Sequence, residues 1–430
     1  MRVAVVGLGA AGCRAALALH EAGIHAELFE ARDRLGGRLS SRYSADGEHL
    51  YEAGGEWLDS DHVHVKSMLQ RFGLEPASSR QWPGTIWFDG KTCPEDEPWP
   101  EAALDLERIE SAYDFLALDL EPVPWDNVLY PQLDEADLAA FLDRHCLTHE
   151  GRWLAEAQQR SDEGDDPQVI GLLGWLCSQM KYEERIDGDM SSFRIPGGGQ
   201  RLCEKMINST GMKPKLSTKL AGVDPGFDSV TLRFEDAEER FDRVILTLPP
   251  TVLRSLEWTY LSEDHENAWE AARLSRSVKI ALEFSERYWK GSARFLTNLP
   301  IQQTWELTPD GQSGGAAIGC YICGDEAERW TTIEDPVGEA LRHVETLIPG
   351  AEKHFIRGEM VDWIHDPYSL GGFPYFPPGF CLNHAQTLSQ PLGRVHFAGD
   401  ATSSWVGFIE GALDSGLRAA EEVIEQCKNG

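Results

Sequence analysis

The sequence predicts a mixed α/β chain in which a parallel-sheet domain is assembled from separated segments, with a second, α+β domain of sheet and helices set into it. Three observations carry this. The chain opens as strand, glycine turn, helix, strand; strand-like runs return from residue 191 onward; and the segment between, residues 95–190, reads as helices. A length of 430 residues accommodates two or three domains, and 42% hydrophobic residues with 14 Trp supply a large core.

The first unit reads RVAVV, GLGAAG, CRAALALHEAG and HAELFE, the start of a parallel βαβ. Ala15, Ala16, Leu19 and Ala22 give the helix an apolar side, and Gly23 stops it. Gly7, Gly9 and Gly12 form GxGxxG around Ala10 and Ala11. The first glycine permits the tight turn, the second lets backbone N–H groups approach a pyrophosphate, and the third lets the helix pack against the strand. Glu30 stands 18 residues past Gly12, at the end of the next strand. A carboxylate there accepts ribose hydroxyls and repels a 2′-phosphate. EARDRLGGR follows, setting Ala31, Arg32, Arg34 and Arg38 around Gly36 and Gly37, and a guanidinium beside flexible backbone suits a diphosphate.

The helical segment contains EAALDLERIESAYDFLALDL and DEADLAAFLDRHC, broken by PVPW and SDEGDDP. Strands resume as KLAGVD, SVTLRF, DRVILTLP, SVKIALEF, AAIGCYICG and RVHFAGD. In SVKIALEF, alternation puts Val278, Ile280, Leu282 and Phe284 on one face and Lys279, Ala281 and Glu283 on the other, where a lysine alone reads as solvated. Ile409, Ala412, Leu413, Gly416, Leu417, Ala420, Val423 and Ile424 recur at helical spacing, so a last helix starts near Phe408.

A formal charge of -32 and the lack of any Lys/Arg run exclude nucleic acid as a partner. Residues 95–190 hold 25 acidic and 6 basic side chains, a net of -19, read either as a solubilising surface or as a rim that gathers cations. The nine cysteines lack zinc spacing, and Cys320 and Cys323 read as small residues packed in a strand. His62 and His64 have no third ligand in sight, so no metal is expected. No apolar run is long enough for a membrane span, and a strand at the very start leaves no leader, so a cytoplasmic protein is expected.

From the acid-to-GGR stretch onward the sequence resembles the flavin-containing amine oxidase superfamily, which includes monoamine, polyamine and L-amino-acid oxidases. The resemblance continues through YEAGGEWLDS (51–60), RIPGGGQRL (194–202), VILTLPP (244–250), WIHDPYSLGGFPYFPPG (363–379) and HFAGDATSSWVGFIEGALDSGLRAA (396–420), nearly the full length. It implies a Rossmann-like FAD-binding domain from residues 1–80, 191–268 and 378–430, and a substrate-binding domain from 81–190 and 269–377. Beyond the first unit, it adds Leu220, Gly399, Asp400, Gly407, Phe408, Ile409 and Ala412 to the cofactor contacts, Asp400 replacing the usual Glu. Gly54, Gly55, Glu56 and Trp57 would pass the flavin ring, the last two with a substrate-touching or a structural role. The last helix would point its positive N-terminus at the reduced flavin.

The resemblance also implies that Lys279 holds a water against the flavin and that Phe373 and Phe408 sandwich a neutral amine, whose α-hydrogen leaves as hydride. Oxygen would then take the electrons and give hydrogen peroxide. Where monoamine oxidases carry the cysteine bonded to the flavin stands Gly372, so FAD is expected to be non-covalent. The alternatives are an L-amino-acid oxidase, which needs a buried cation such as Arg194 and which Glu56 would disfavour by repulsion, or a dehydrogenase or desaturase that does not use oxygen. No motif encodes an oligomeric state.

Overall fold

A computed structural model describes residues 1–45, 47–78, 84–183, 191, 193–308 and 316–428. Residues 184–190 of the acidic segment lie outside the described residues. The strand Val3–Val6 is the middle of a five-stranded parallel sheet, flanked by Ala26–Phe29 and Arg243–Leu246, with Pro214–Lys215 and Val395–Phe397 at the edges. Its two faces serve two cores. Val3, Val5, Leu28 and Ile245 pack with the helix Ala10–Glu21, whereas Ala4, Val6, Phe29 and Leu246 join the cluster that reaches the helical segment. Burial on both faces is why RVAVV is continuously apolar rather than alternating. All five strands fall within residues 1–80, 191–268 and 378–430.

A seven-stranded sheet runs in the order Phe355–Asp362, Ser277–Phe284, Ala316–Cys323, Gln303–Glu306, Phe295–Thr297, Thr85–Phe88, Lys91–Pro94. Ser277–Phe284 is paired antiparallel on both sides. Val278, Ile280, Leu282 and Phe284 bury against Ala340 and Val344 of the helix Pro336–Leu347. The opposite face carries Lys279, which is only 4% exposed, so the solvated reading of its alternation fails: that face of the sheet is roofed by other segments. KLAGVD and SVTLRF form a separate four-stranded sheet with Glu238–Phe241 and Glu257–Trp258. The acidic segment forms helices Pro100–Ala117, Leu138–His145, His149–Glu163 and Leu172–Glu183, together with two short ones. Among the described residues no helix is long and apolar enough to cross a membrane. The last helix, Ile409–Lys428, packs so closely on Ala10–Glu21 that a Cβ at Gly416 would lie 2.2 Å from the Ala11 carbonyl oxygen.

Candidate active site

Most of the residues expected at the cofactor or the substrate meet on the wall of one cavity of about 1190 Å3. They are Gly7, Gly9, Ala10, Ala11, Glu30, Ala31, Arg32, Gly36, Gly37, Arg38, Gly54, Gly55, Glu56, Trp57, Leu220, Lys279, Phe373, Gly399, Asp400, Gly407, Phe408, Ile409 and Ala412. Gly12 lies beneath the turn rather than on the wall. A Cβ there would sit 1.9 Å from the Gly7 carbonyl oxygen, so the helix reaches the strand only because this position is bare.

At one end, Glu30 is buried and its two oxygens accept from the backbone N–H of Leu8 (2.7 Å) and of Arg32 (2.9 Å). Each oxygen keeps a second lone pair for a hydroxyl donor. Arg38 donates to the Gly372 carbonyl at 2.6 Å and to Asp400 at 2.5 Å, which leaves guanidinium donors over. Asp400, one methylene shorter than the usual acid, is thus held by Arg38. The other two arginines serve the protein: Arg32 is bidentate on Asp366, and Arg34 turns off the cavity to brace the carbonyls of Leu35, Gly37 and Leu39. Of the three guanidiniums, Arg38 is therefore the one placed for an anion. Bare turn, carboxylate and arginine fit a dinucleotide such as FAD. Cys177 is a cysteine on the wall, but burial pushes its thiol up to about 12, while Cys381 lies buried away from it. Cys320 and Cys323 are free and buried, with burial raising both thiols.

Further along, Lys279 forms an ion pair with Glu56. Glu56, itself buried, also accepts from Arg194 (2.8 Å) and from the indole of Trp305 (3.0 Å). Two cations therefore flank one carboxylate, and the expectation that Glu56 would repel a substrate carboxylate is wrong, because its charge is neutralised within the wall. Arg194 stacks 4.3 Å over the Trp57 ring and also donates to the carbonyls of Glu306 and Leu307. Sheet register sets Lys279 opposite Tyr321, and Tyr321 opposite Gln303, so the three form a row across one face, and all line the cavity.

Phe373 and Phe408 both line the cavity, and a Cβ at Gly407 would come 3.2 Å from the Phe373 ring. His62 lies edge-on to Phe408 (5.4 Å) and to Trp405 (5.5 Å), so this histidine buttresses the aromatic wall. It also lies within ligand distance of Asp59 and Asp61, but its Nδ1 accepts from the Asp59 backbone and Asp59 accepts from the Ser191 N–H. His64 gives its backbone N–H to Glu410. From the acidic segment, Glu95, Asp162 and Glu163 reach the wall. Sequence reading weighed His62 only as a metal ligand and missed Trp305, Tyr321 and Glu163. The first three need tertiary packing or strand register to be placed, and Glu163 was one acid among many.

A nucleotide cradle and a reactive pocket sharing one cavity define a cofactor-dependent oxidoreductase. The chain belongs to the flavin-containing amine oxidoreductase family, whose model matches residues 10–424, and its cofactor is accordingly a flavin. It is 25% identical over 454 residues to bovine amine oxidase [flavin-containing] A, covering 98% of this chain and 84% of the relative. Against the pig B form it is 27% identical over 458 residues, covering 98% and 86%. In fold it is similar to cyclohexylamine oxidase from Brevibacterium oxydans (TM-score 0.88, 23% identity) and to putrescine oxidase bound to putrescine (TM-score 0.88, 20%), with 99% of each chain covered in both comparisons.

Proposed function

We propose that the protein is an amine oxidase that holds FAD non-covalently and passes electrons from an amine to oxygen. The observation that carries this reading is the single cavity joining the glycine turn and Glu30 to Lys279, Phe373 and Phe408. When bound, FAD supplies the acceptor for a hydride from the amine α-carbon; the resulting imine is hydrolysed to a carbonyl compound and ammonia or a smaller amine, and O2 is reduced to H2O2.

The chain's part is to bind, orient and desolvate. Glu30 takes ribose hydroxyls, and Arg38 and the bare turn take the diphosphate. The N-terminus of Ile409–Lys428 offers partial positive charge to the reduced cofactor. Phe373 and Phe408 present apolar ring faces, which favour the neutral amine by desolvation while still attracting residual positive charge. An amine that arrives neutral requires no strong side-chain base. Lys279, fixed by Glu56, presents an N–H to water in the cavity. The residue sets 1–80, 191–268 and 378–430 against 81–190 and 269–377 are the corresponding cofactor and substrate domains. Lys279 and Arg194 both donate to Glu56, which fixes the position of each on the wall.

The test is spectral. Amines should bleach the flavin band under nitrogen, and air should restore it with peroxide release. Acid precipitation should leave the flavin in the supernatant. Bleaching by amino acids alone, or no return in air, would overturn the substrate class or the oxidase assignment.

A further inference from the structure

The wall of the cavity carries a carboxylate for which neither the fold nor the amine-oxidation reading has a use. Glu163 ends the helix His149–Glu163, and the left-handed Gly164 (φ 75°) turns the chain immediately after it. The turn is wedged against an aromatic wall: a Cβ on Gly164 would lie 2.6 Å from Phe373 Cζ and 2.6 Å from Ser275 Cβ. The residue after Glu163 is therefore pressed against the ring proposed to receive the reacting amine, and Glu163 itself lines the same cavity. Two residues earlier, Ser161 donates to the Gln303 side chain at 3.0 Å, which ties this helix end to the row Lys279, Tyr321, Gln303.

The electrostatic setting is the unusual part. Of the carboxylates on the cavity wall, Glu163 alone among the described residues has no hydrogen-bond or ion-pair donor, and its Oε1 is buried. Glu30 has two backbone N–H groups, Glu56 two cations, Asp400 an arginine, Glu95 Arg294 and Glu306 Arg287. A carboxylate oxygen out of water and without a partner is costly unless a ligand supplies one. Burial, with Asp162 adding repulsion, pushes its carboxyl up to about 8, so it waits protonated near neutral pH. The buried hydroxyl of Tyr321 lies on the same wall.

The complement of such a group is a cation. The amine to be oxidised must reach the rings of Phe373 and Phe408 uncharged, so the cation has to be a different group on the same substrate. We propose that Glu163 is the subsite for a second ammonium, making α,ω-diamines the preferred substrates. This rests on the amine-oxidase reading and narrows it to one substrate class. Glu163 is then a specificity-determining residue: it gives up its proton as the distal ammonium arrives, and one charge-assisted hydrogen bond anchors the chain while the near amine lies between the rings.

Calorimetric titration of the flavin-loaded protein under nitrogen tests this, with 1,4-diaminobutane and 1,5-diaminopentane compared against 1-aminobutane and 1-aminopentane. The diamines should bind about 30- to 100-fold more tightly than the matching monoamines, as expected for a desolvated charge-assisted contact. Glu163→Gln should bring that ratio close to one. The variant removes a carboxyl group that has no partner in the folded chain, so its flavin spectrum and thermal midpoint should match or exceed those of the parent. Equal affinity for mono- and diamines in the parent, or a ratio that survives Glu163→Gln, overturns the subsite. So does an equal loss of both affinities, which would make the residue a proton acceptor for the near amine. Bleaching of the flavin is recorded in the same samples. Tight diamine binding without bleaching retires the oxidase reading and leaves the subsite standing, whereas bleaching with no diamine preference does the reverse.

Discussion

Replacing Glu56 with Gln probes the buried charge group most directly. In the folded protein Glu56 lies between Lys279 and Arg194, the latter at 2.8 Å; Glu56 and Lys279 are buried and the Arg194 side chain is only 11% exposed. At that separation, with an effective dielectric of about 20, the Arg194 attraction alone is ~6 kcal/mol before desolvation is subtracted. Removing one member of a buried ion pair costs about 3–5 kcal/mol, because the partner left behind stays buried and uncompensated. Here two cations would be left facing each other. Unfolding entropy of ~2.1 cal/mol/K per residue gives ~0.9 kcal/mol/K for a chain of 430 residues, so Glu56→Gln should lower the thermal midpoint by roughly 3–6 °C. Flavin fluorescence release on heating reads this. Adding Lys279→Met removes one of the two stranded cations, so the double variant should be more stable than the sum of the single losses by about 1–3 kcal/mol. A midpoint within ~1 °C of the parent, or additivity within ~0.5 kcal/mol, would refute the claim that these residues form one buried network.

Three further outcomes follow from named contacts. Gly12→Ala should yield protein without flavin, because its Cβ would have to occupy space 1.9 Å from the Gly7 carbonyl oxygen; a yellow, full-occupancy variant would contradict this. Lys279→Met should keep FAD bound yet slow flavin reduction or reoxidation in stopped-flow traces, and unchanged rates would remove Lys279 from the chemistry. The third concerns pH and stability. Glu163 has its carboxyl raised from the usual 4.5 to about 8 in the folded state, so between those values the folded chain binds the extra proton. Its contribution to stability is full below about pH 4.5 and is lost as pH rises toward about 8. Thermal midpoints of Glu163→Gln relative to the parent should therefore climb from pH 5 to pH 8.5, and a falling difference would show the shift to be of the opposite sign.

The cofactor end was legible because its chemistry is local. Turn, helix and acid lie within residues 7–30, and their spacing alone sets the geometry seen in Glu30 accepting the Leu8 N–H. The continuously apolar strands were likewise readable, because a strand buried on both faces leaves no polar alternation. The substrate end was legible only in part. Lys279 was correctly set on the face opposite Val278 and Ile280, but alternation says which side a residue takes, not what covers that side. Its partner Glu56 comes from a segment 223 positions away, and nothing local links them. Glu163 was hidden for a different reason: in a segment with 25 acids, composition cannot single out the one that reaches the cavity wall without a donor.

The parallel sheet also imposes an order on synthesis. Val3–Val6 is made among the first residues of this chain, yet it lies at the centre of its sheet and must wait for Arg243–Leu246 before both its edges are covered. The helix Ala10–Glu21 waits longer still, because the surface around Ala11 is closed only by Ile409–Lys428. Until that last helix docks, the glycine turn lacks its packing support, and Phe408, Ile409 and Ala412 are missing from the cavity wall. The complete cradle thus requires two helices that lie far apart in the sequence. A chain lacking residues 409–428 would leave the surface of Ala10–Glu21 around Ala11 uncovered and the cradle open on one side, so flavin binding reports that these two helices have docked.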